Sequence, residues 1–142
     1  MDANGALAII NAVNADTYAG WFEPRDVLAV IAVESRFNPN AYNPEGDGRD
    51  PSRGLMQIRA STARDRGVAD PETLFDPETN IRTGMAHLKW SWDFLSTRLG
   101  RDPTEAEWIG SYNAGVGNIL NGYQNVRYVS AFQSARDGIA YV

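Results

Sequence analysis

The stretch between Asp76-Pro77 and Gly100 does most to constrain the fold. Ile81, Met85, Leu88, Trp92, Leu95 and Leu99 recur at steps of three and four residues, so they share one stripe of a helix. An Asp-Pro pair suits a helix cap and first turn, and a glycine suits the left-handed residue that closes one. Shorter helical patterns surround this long helix. Residues 3–15 are rich in Ala, Leu and Ile at helical spacing. Pro24 opens a second helix that runs to about Phe37, where Asn38-Pro39 stops it, because a residue before proline avoids the helical region. Ser61-Thr62 and Asp70-Pro71 read as helix starts. Asp102-Pro103-Thr104-Glu105 opens a helix that reaches Tyr112 and is broken by Gly115 and Gly117. Two short helices follow, around 117–122 and 126–135. Residues 38–53 hold three prolines and two glycines among Asn, Asp and Glu, the composition of a loop, and Leu55 to Ile58 reads as a short extended piece. The expected fold is α-dominated, with one long irregular loop and at most a short β piece.

The bulk properties narrow the function. A chain of 142 residues with 43% hydrophobic and 22% charged residues is expected to form one soluble globular domain, 1–142, with a real core. Its net charge of −5 argues against non-specific nucleic-acid binding, which needs a basic surface. With no cysteine and one histidine, His87, neither a thiolate metal site nor a His-based triad is expected. No apolar run approaches transmembrane length, and the N-terminus lacks the basic region of a secretory signal.

Glu34 is the residue with the clearest chemical promise. It follows the apolar run Val27-Leu-Ala-Val-Ile-Ala-Val33, at the point where a buried helix runs out. Poor solvation disfavours the charged form of a carboxyl and raises its pKa. A carboxyl still protonated near neutral pH can act as a general acid. A lone Glu at a helix end is more often simply solvated, so the weight rests on what accompanies it.

The accompaniment is an ordered series. Glu34-Ser35 with Phe37-Asn38-Pro39 is followed by Gly54-Leu55-Met56-Gln57-Ile58, then Ser61-x-Ala63, then Asn80-Ile81-x-x-Gly84, then Tyr112-Asn113-Ala114-Gly115-x-Gly117, then Tyr128-Val129. Over about residues 22–132 this series resembles the soluble lytic transglycosylase domain of the lysozyme-like superfamily. The resemblance implies a mostly α, lysozyme-like fold. It also implies cleavage of the β-1,4 link between N-acetylmuramic acid and N-acetylglucosamine in peptidoglycan, leaving 1,6-anhydro ends, with no cofactor and no metal. Glu34 would be the sole catalytic acid and base. Gln57 matches a residue that contacts the sugar, Tyr112 a cleft tyrosine on the muramyl side with Asn113 beside it, and Tyr128 a tyrosine whose hydroxyl lies near the catalytic carboxyl. Leu55 and Met56 are expected to pack beneath the cleft. For Ser35, a bond to the helix-end backbone and a direct substrate contact both stand open.

The chain departs from the family pattern in three places. A serine between the glutamate and the Gly-Leu-Met-Gln string is Asn43 here, and the linking loop is about five residues longer, carrying Glu45, Asp47, Asp50 and Arg53. A Met-Pro pair is replaced by Arg59-Ala60, and the stretch from Tyr112 to Tyr128 is short. The longer loop leaves a hydrolase open. Goose-type lysozymes on the same fold use downstream aspartates to place a water, and Asp47 or Asp50 would serve, although turn chemistry explains both. Calcium on Asn43, Glu45, Asp47 and Asp50 is a weaker reading, since their spacing does not match an EF-hand. A binding module with a dead site is opposed by the presence of Glu34, Gln57 and both tyrosines. Trp92 fits the buried stripe and Trp90 lies off it, while His87 reads as a packing or surface residue.

The expected partner is the peptidoglycan glycan strand, and the place of action is the periplasm or cell wall. Relatives of this kind occur in phage particles and secretion machines. An acidic enzyme without a visible leader fits delivery in such an assembly.

Overall fold

The computed structural model describes residues 1–46 and 48–139. Seven α-helices occur among the described residues: α1 (Ala3–Tyr18), α2 (Pro24–Ser35), α3 (Ala60–Asp65), α4 (Pro77–Leu99), α5 (Glu105–Ala114), α6 (Val116–Leu120) and α7 (Val126–Gly138). A 3-10 turn covers Pro71–Phe75, and three two-residue strands, β1 (Tyr42–Asn43), β2 (Ser52–Arg53) and β3 (Ile58–Arg59), form an antiparallel sheet in the order β1-β2-β3. Tyr42 pairs with Arg53, and Ser52 with Arg59.

Local chemistry sets most of the boundaries. The Asp76 carboxylate accepts from the N–H of Thr79 at 3.0 Å at the start of α4, and Gly100 closes the helix at φ +70°. Thr104 and Glu107 cap α5 reciprocally, the hydroxyl accepting from one backbone N–H and the carboxylate from the other. The buried Asn14 bonds both the N–H and the C=O of Phe22, each at 3.0 Å, and so fixes the turn from α1 into α2.

Some expectations need correction. The second helix stops before Asn38-Pro39, because Arg36 and Phe37 both turn left-handed, at φ +52° and +63°. The stretch read as a loop contains β1 and β2. Of the expected extended piece only Ile58 is in a strand, and Gly54 to Gln57 form a turn with Gln57 itself left-handed at φ +52°. Gly117 does not break a helix but lies inside α6, and Gly115 alone makes the break.

The core runs between the helices, with Ile10, Leu28, Ile31, Leu55, Met56, Ile81, Met85, Ile109 and Phe132 fully buried. Helix α7 packs on α2, and α5 packs on both α4 and α7. The Gly54–Gln57 turn is clamped to α4 by the buried Asn80. Its side-chain oxygen accepts from the N–H of Met56 at 2.8 Å, and its amide nitrogen donates to the carbonyls of Arg53 at 2.9 Å and Leu74 at 2.8 Å. No described helix is long and apolar enough to cross a membrane.

Candidate active site

A cleft of about 360 Å³ lies between the small sheet and the helices, and Glu34, Gln57, Tyr112 and Asn113 are among its lining residues. Glu34 comes from the last turn of α2, whose preceding residues Val27 to Ile31 are sealed in the core. The backbone dipole at a helix C-terminus already disfavours a negative charge. Burial adds to this and is the main cause that raises the Glu34 pKa from 4.5 to about 7. A hydrogen bond from Tyr128 works against the rise, and the charge of Glu45 works with it.

Tyr128 is delivered by α7. Its hydroxyl donates to Glu34 Oε2 at 2.6 Å across 94 residues of sequence. Burial, and then the neighbouring Glu34 carboxyl, push the tyrosine pKa well above its ordinary value, so the hydroxyl stays a donor. Tyr112, from α5, spends its hydroxyl on the carbonyl of Met56 at 2.6 Å and leaves its ring to the cleft wall. Gln57 donates from its amide nitrogen to the carbonyls of Gly54 at 3.0 Å and Ala41 at 3.2 Å, which leaves its amide oxygen for a ligand. A left-handed non-glycine residue costs on the order of 1 kcal/mol and is held only where the surroundings require it. Here the Asn80 clamp supplies that requirement. Leu55 and Met56 are fully buried below the cleft.

Other residues singled out from the sequence take different places. Ser35 is not among the cleft-lining residues, and its hydroxyl donates to the carbonyl of Leu55 at 2.7 Å, tying the end of α2 to the turn. Asn113 is exposed at the rim, with its side-chain oxygen accepting from Asn125 at 3.0 Å. Asn43 lies exposed on β1, and Asp47 falls outside the described residues. Asp50 does not line the cleft. Its carboxylate accepts from the N–H of Ala60 at 2.9 Å and from the Ser61 hydroxyl, and so caps α3. Burial alone would raise its pKa, but these hydrogen bonds and the nearby Arg59 prevail and lower it. Two further acids line the cleft, Glu45 and Asp65, and Glu45 accepts from Ser52 at 2.8 Å and pairs with Arg59 at 3.3 Å. Among the described residues no group of three or more His, Cys, Asp or Glu is arranged to hold a metal.

The far wall was not legible from the sequence. Arg66, which follows the last residue of α3, and His87 and Trp90 on α4 all line the cleft. Trp90 is half-buried and stacks near His87, with the Arg66 guanidinium 4.5 Å from its ring centre. Burial, and next the Arg66 charge, lower the His87 pKa to about 4, so this histidine is neutral at pH 7. Only the i, i+3 spacing of His87 and Trp90, on the face of α4 opposite Trp92, would have hinted at the pair.

Three comparisons bear on this arrangement. The family model described as the transglycosylase SLT domain matches residues 11–133. The membrane-bound lytic murein transglycosylase F of Vibrio cholerae is 34% identical over 106 residues, 73% of this chain and 18% of the relative. The protein of the same name from Haemophilus influenzae is 30% identical over 108 residues, 75% of this chain and 20% of the relative. The crystal structure of the 70 kDa soluble lytic transglycosylase of Escherichia coli superimposes with a TM-score of 0.61 at 26% identity, covering 90% of this chain and 21% of that one. Its complex with bulgecin A gives a TM-score of 0.62 at 25% identity, covering 92% and 21%. The chain thus spans about a fifth of the length of the relatives it matches. Matched over most of its residues, and carrying the mostly helical fold of these structures, it belongs to the transglycosylase SLT domain family.

Proposed function

We propose that this chain is a peptidoglycan lytic transglycosylase, working as one domain, with Glu34 as its acid and base. The observation that carries the reading is the Glu34 carboxyl, raised to about 7, whose hydrogen-bond partner in the cleft is a tyrosine rather than a second acid. Protonated Glu34 gives its proton to the glycosidic oxygen between N-acetylmuramic acid and N-acetylglucosamine, and the C1–O bond breaks. Positive charge at C1 is held as an oxocarbenium ion or shared with the acetamido oxygen. The C6 hydroxyl of the same sugar then bonds to C1, and its proton returns to the Glu34 carboxylate. No water is consumed, and a 1,6-anhydro ring is left. Tyr128 holds the carboxylate while it is charged. Gln57 offers an oxygen to the sugar's N–H or hydroxyl donors, and Tyr112 and Asn113 shape the muramyl side.

The hydrolase reading loses support at Asp50, whose oxygens serve α3, and at Glu45, which is paired with Arg59. The enzyme is proposed to act in the periplasm or wall, carried there by a larger assembly such as a phage particle. The chain's net charge of −5 supports delivery over capture by an anionic wall. A cleaved secretory leader in the source gene would count against delivery of that kind.

Mass spectrometry of muropeptides released from purified peptidoglycan tests the chemistry. Products one water lighter than their reducing-end counterparts, absent with Glu34→Gln, are expected. Reducing-end products would instead mean a lysozyme.

A further inference from the structure

Two side chains in the cleft carry a fixed positive charge, and they are treated differently. Arg59 is paired with Glu45 at 3.3 Å. The Arg66 side chain has no ion-pair or hydrogen-bond partner among the described residues, and its Nε is buried without an acceptor. Asp65, its chain neighbour, lines the same cleft but makes no ion pair with it. Arg66 is nonetheless held in place, because its guanidinium lies over the Trp90 ring at 4.5 Å. An arginine stacked on an aromatic face is pre-organised for a planar, bidentate acceptor. In a chain with net charge −5, a positioned cation lacking a protein carboxylate is a vacancy for an anion from elsewhere. Neutral His87 beside it adds no competing charge.

We infer that Arg66, stacked on Trp90, is a carboxylate-recognition subsite that selects glycan strands bearing acidic groups over neutral ones. The inference rests on reading the cleft as a glycan-strand site, and it names what the strand must carry. Peptidoglycan has two sources of that chemistry: the stem peptide's carboxylates, and the lactyl carboxylate of N-acetylmuramic acid where the stem is absent.

The test compares wild type, Arg66→Gln and Arg66→Lys on three substrates. These are intact glycan strands, the same strands with carboxylates converted to primary amides, and strands stripped of stems by an amidase. On intact strands Arg66→Gln is expected to raise KM about tenfold with kcat little changed, the size of one charge-assisted bond at a partly exposed site. Arg66→Lys, which keeps the charge but not the planar stack, should fall between. Amidation should weaken wild type by the same factor and leave Arg66→Gln unaffected. An Arg66 effect on intact strands assigns the stem carboxylates, because the lactyl carboxyl is there locked in the amide bond to the stem. Persistence of the effect on stripped strands adds the lactyl carboxylate, and its loss there leaves the stem alone. Independent, multiplying effects of mutation and amidation, or no change in KM, would overturn the inference while anhydro products continued to form. If wild type makes no anhydro products, the proposed chemistry fails instead. Sedimentation of Glu34→Gln protein with intact strands, with and without Arg66→Gln, then decides the subsite. A tenfold weaker association supports it and equal association overturns it.

Discussion

Glu34 and Asp50 are carboxylates of the same small region, yet their surroundings push them in opposite directions. Glu34 lies in the last turn of a helix whose middle, Val27 to Ile31, is buried, meets a single O–H donor, and is raised to about 7. Asp50 sits on the hairpin wall beneath the start of α3, receives an N–H and a hydroxyl, and is lowered. Burial pushes both upward, but far more strongly at the deeply buried Glu34, whereas at the more open Asp50 the donors and the nearby Arg59 outweigh it. The helical wall therefore keeps a proton available near neutrality. The hairpin wall keeps its charge and spends it on structure.

The largest expected effect is on the helical side. Glu34→Gln should lower anhydro-product release by roughly 10²–10⁴, the usual contribution of a general acid. Its stability should move the other way. The folded pKa of Glu34, about 7, lies above the unfolded value of 4.5. The stability this group contributes is fully present below 4.5 and is lost as pH rises through 7. At pH 8 the glutamine variant should therefore be more stable than wild type, by up to about 3 kcal/mol. The two should converge toward pH 4. Urea denaturation at both pH values checks this, and an equal gap at both would mean that Glu34 is not buried as described.

The next test breaks the joint between the walls. A Cβ on Gly54, at φ +79°, would lie 2.4 Å from the carbonyl oxygen of Leu74 and 2.3 Å from the Asn80 amide nitrogen. Gly54→Ala should cost about 3 kcal/mol, and lower the melting temperature by roughly 10 °C. Gly48, at φ +78° on the same hairpin, has nothing within 4 Å of such a Cβ. Gly48→Ala should cost only the conformational strain, about 1 kcal/mol. Equal losses would show that the hairpin wall is not locked to α4 through Asn80.

Tyr128→Phe has a smaller, diagnostic effect. The hydroxyl lowers the pKa of Glu34, so its removal should move the alkaline limb of the pH–kcat profile, set by loss of the Glu34 proton, to higher pH. A limb that stays in place would detach Tyr128 from the acid.

Much of the scaffold was legible because its signals are local. Asp76, Gly100 and Thr104 cap or close helices through bonds within one turn, and the stripe from Ile81 to Leu95 follows one helical face. Glu34 stood out because an apolar run ending in a carboxylate is a local pattern, and the ordered motifs after it gave that pattern its weight. The arrangement around it was less legible. Periodicity tells which face of a helix is apolar, not which segment will meet it. Asn80 was visible in a motif, but its grip on the backbone 24 and 27 residues away was not. Arg66 and Trp90 come together from the end of α3 and from α4, and nothing in either segment announces the other. Gln57 looked like part of an extended piece because its left-handed backbone is imposed by the turn, against its own preference.

The smallest effect belongs to Asp50, and it decides whether the contrast between the walls is chemical or only electrostatic. Asp50→Asn keeps an acceptor for Ala60 or Ser61 but removes the negative charge at the start of α3. The cost should be about 1 kcal/mol or less. Because the folded pKa of Asp50 is depressed, the wild-type advantage should be present above the unfolded value of 3.8 and fade as pH falls through the folded one. Turnover should hardly change, since the hairpin shifts little and Glu34 keeps its proton. A loss of about a hundredfold in rate with stability intact would make the hairpin carboxylate part of the chemistry. The products would then be expected to carry reducing ends, because a second working carboxylate is what a hydrolase needs to hold water and what an intramolecular transfer has no use for.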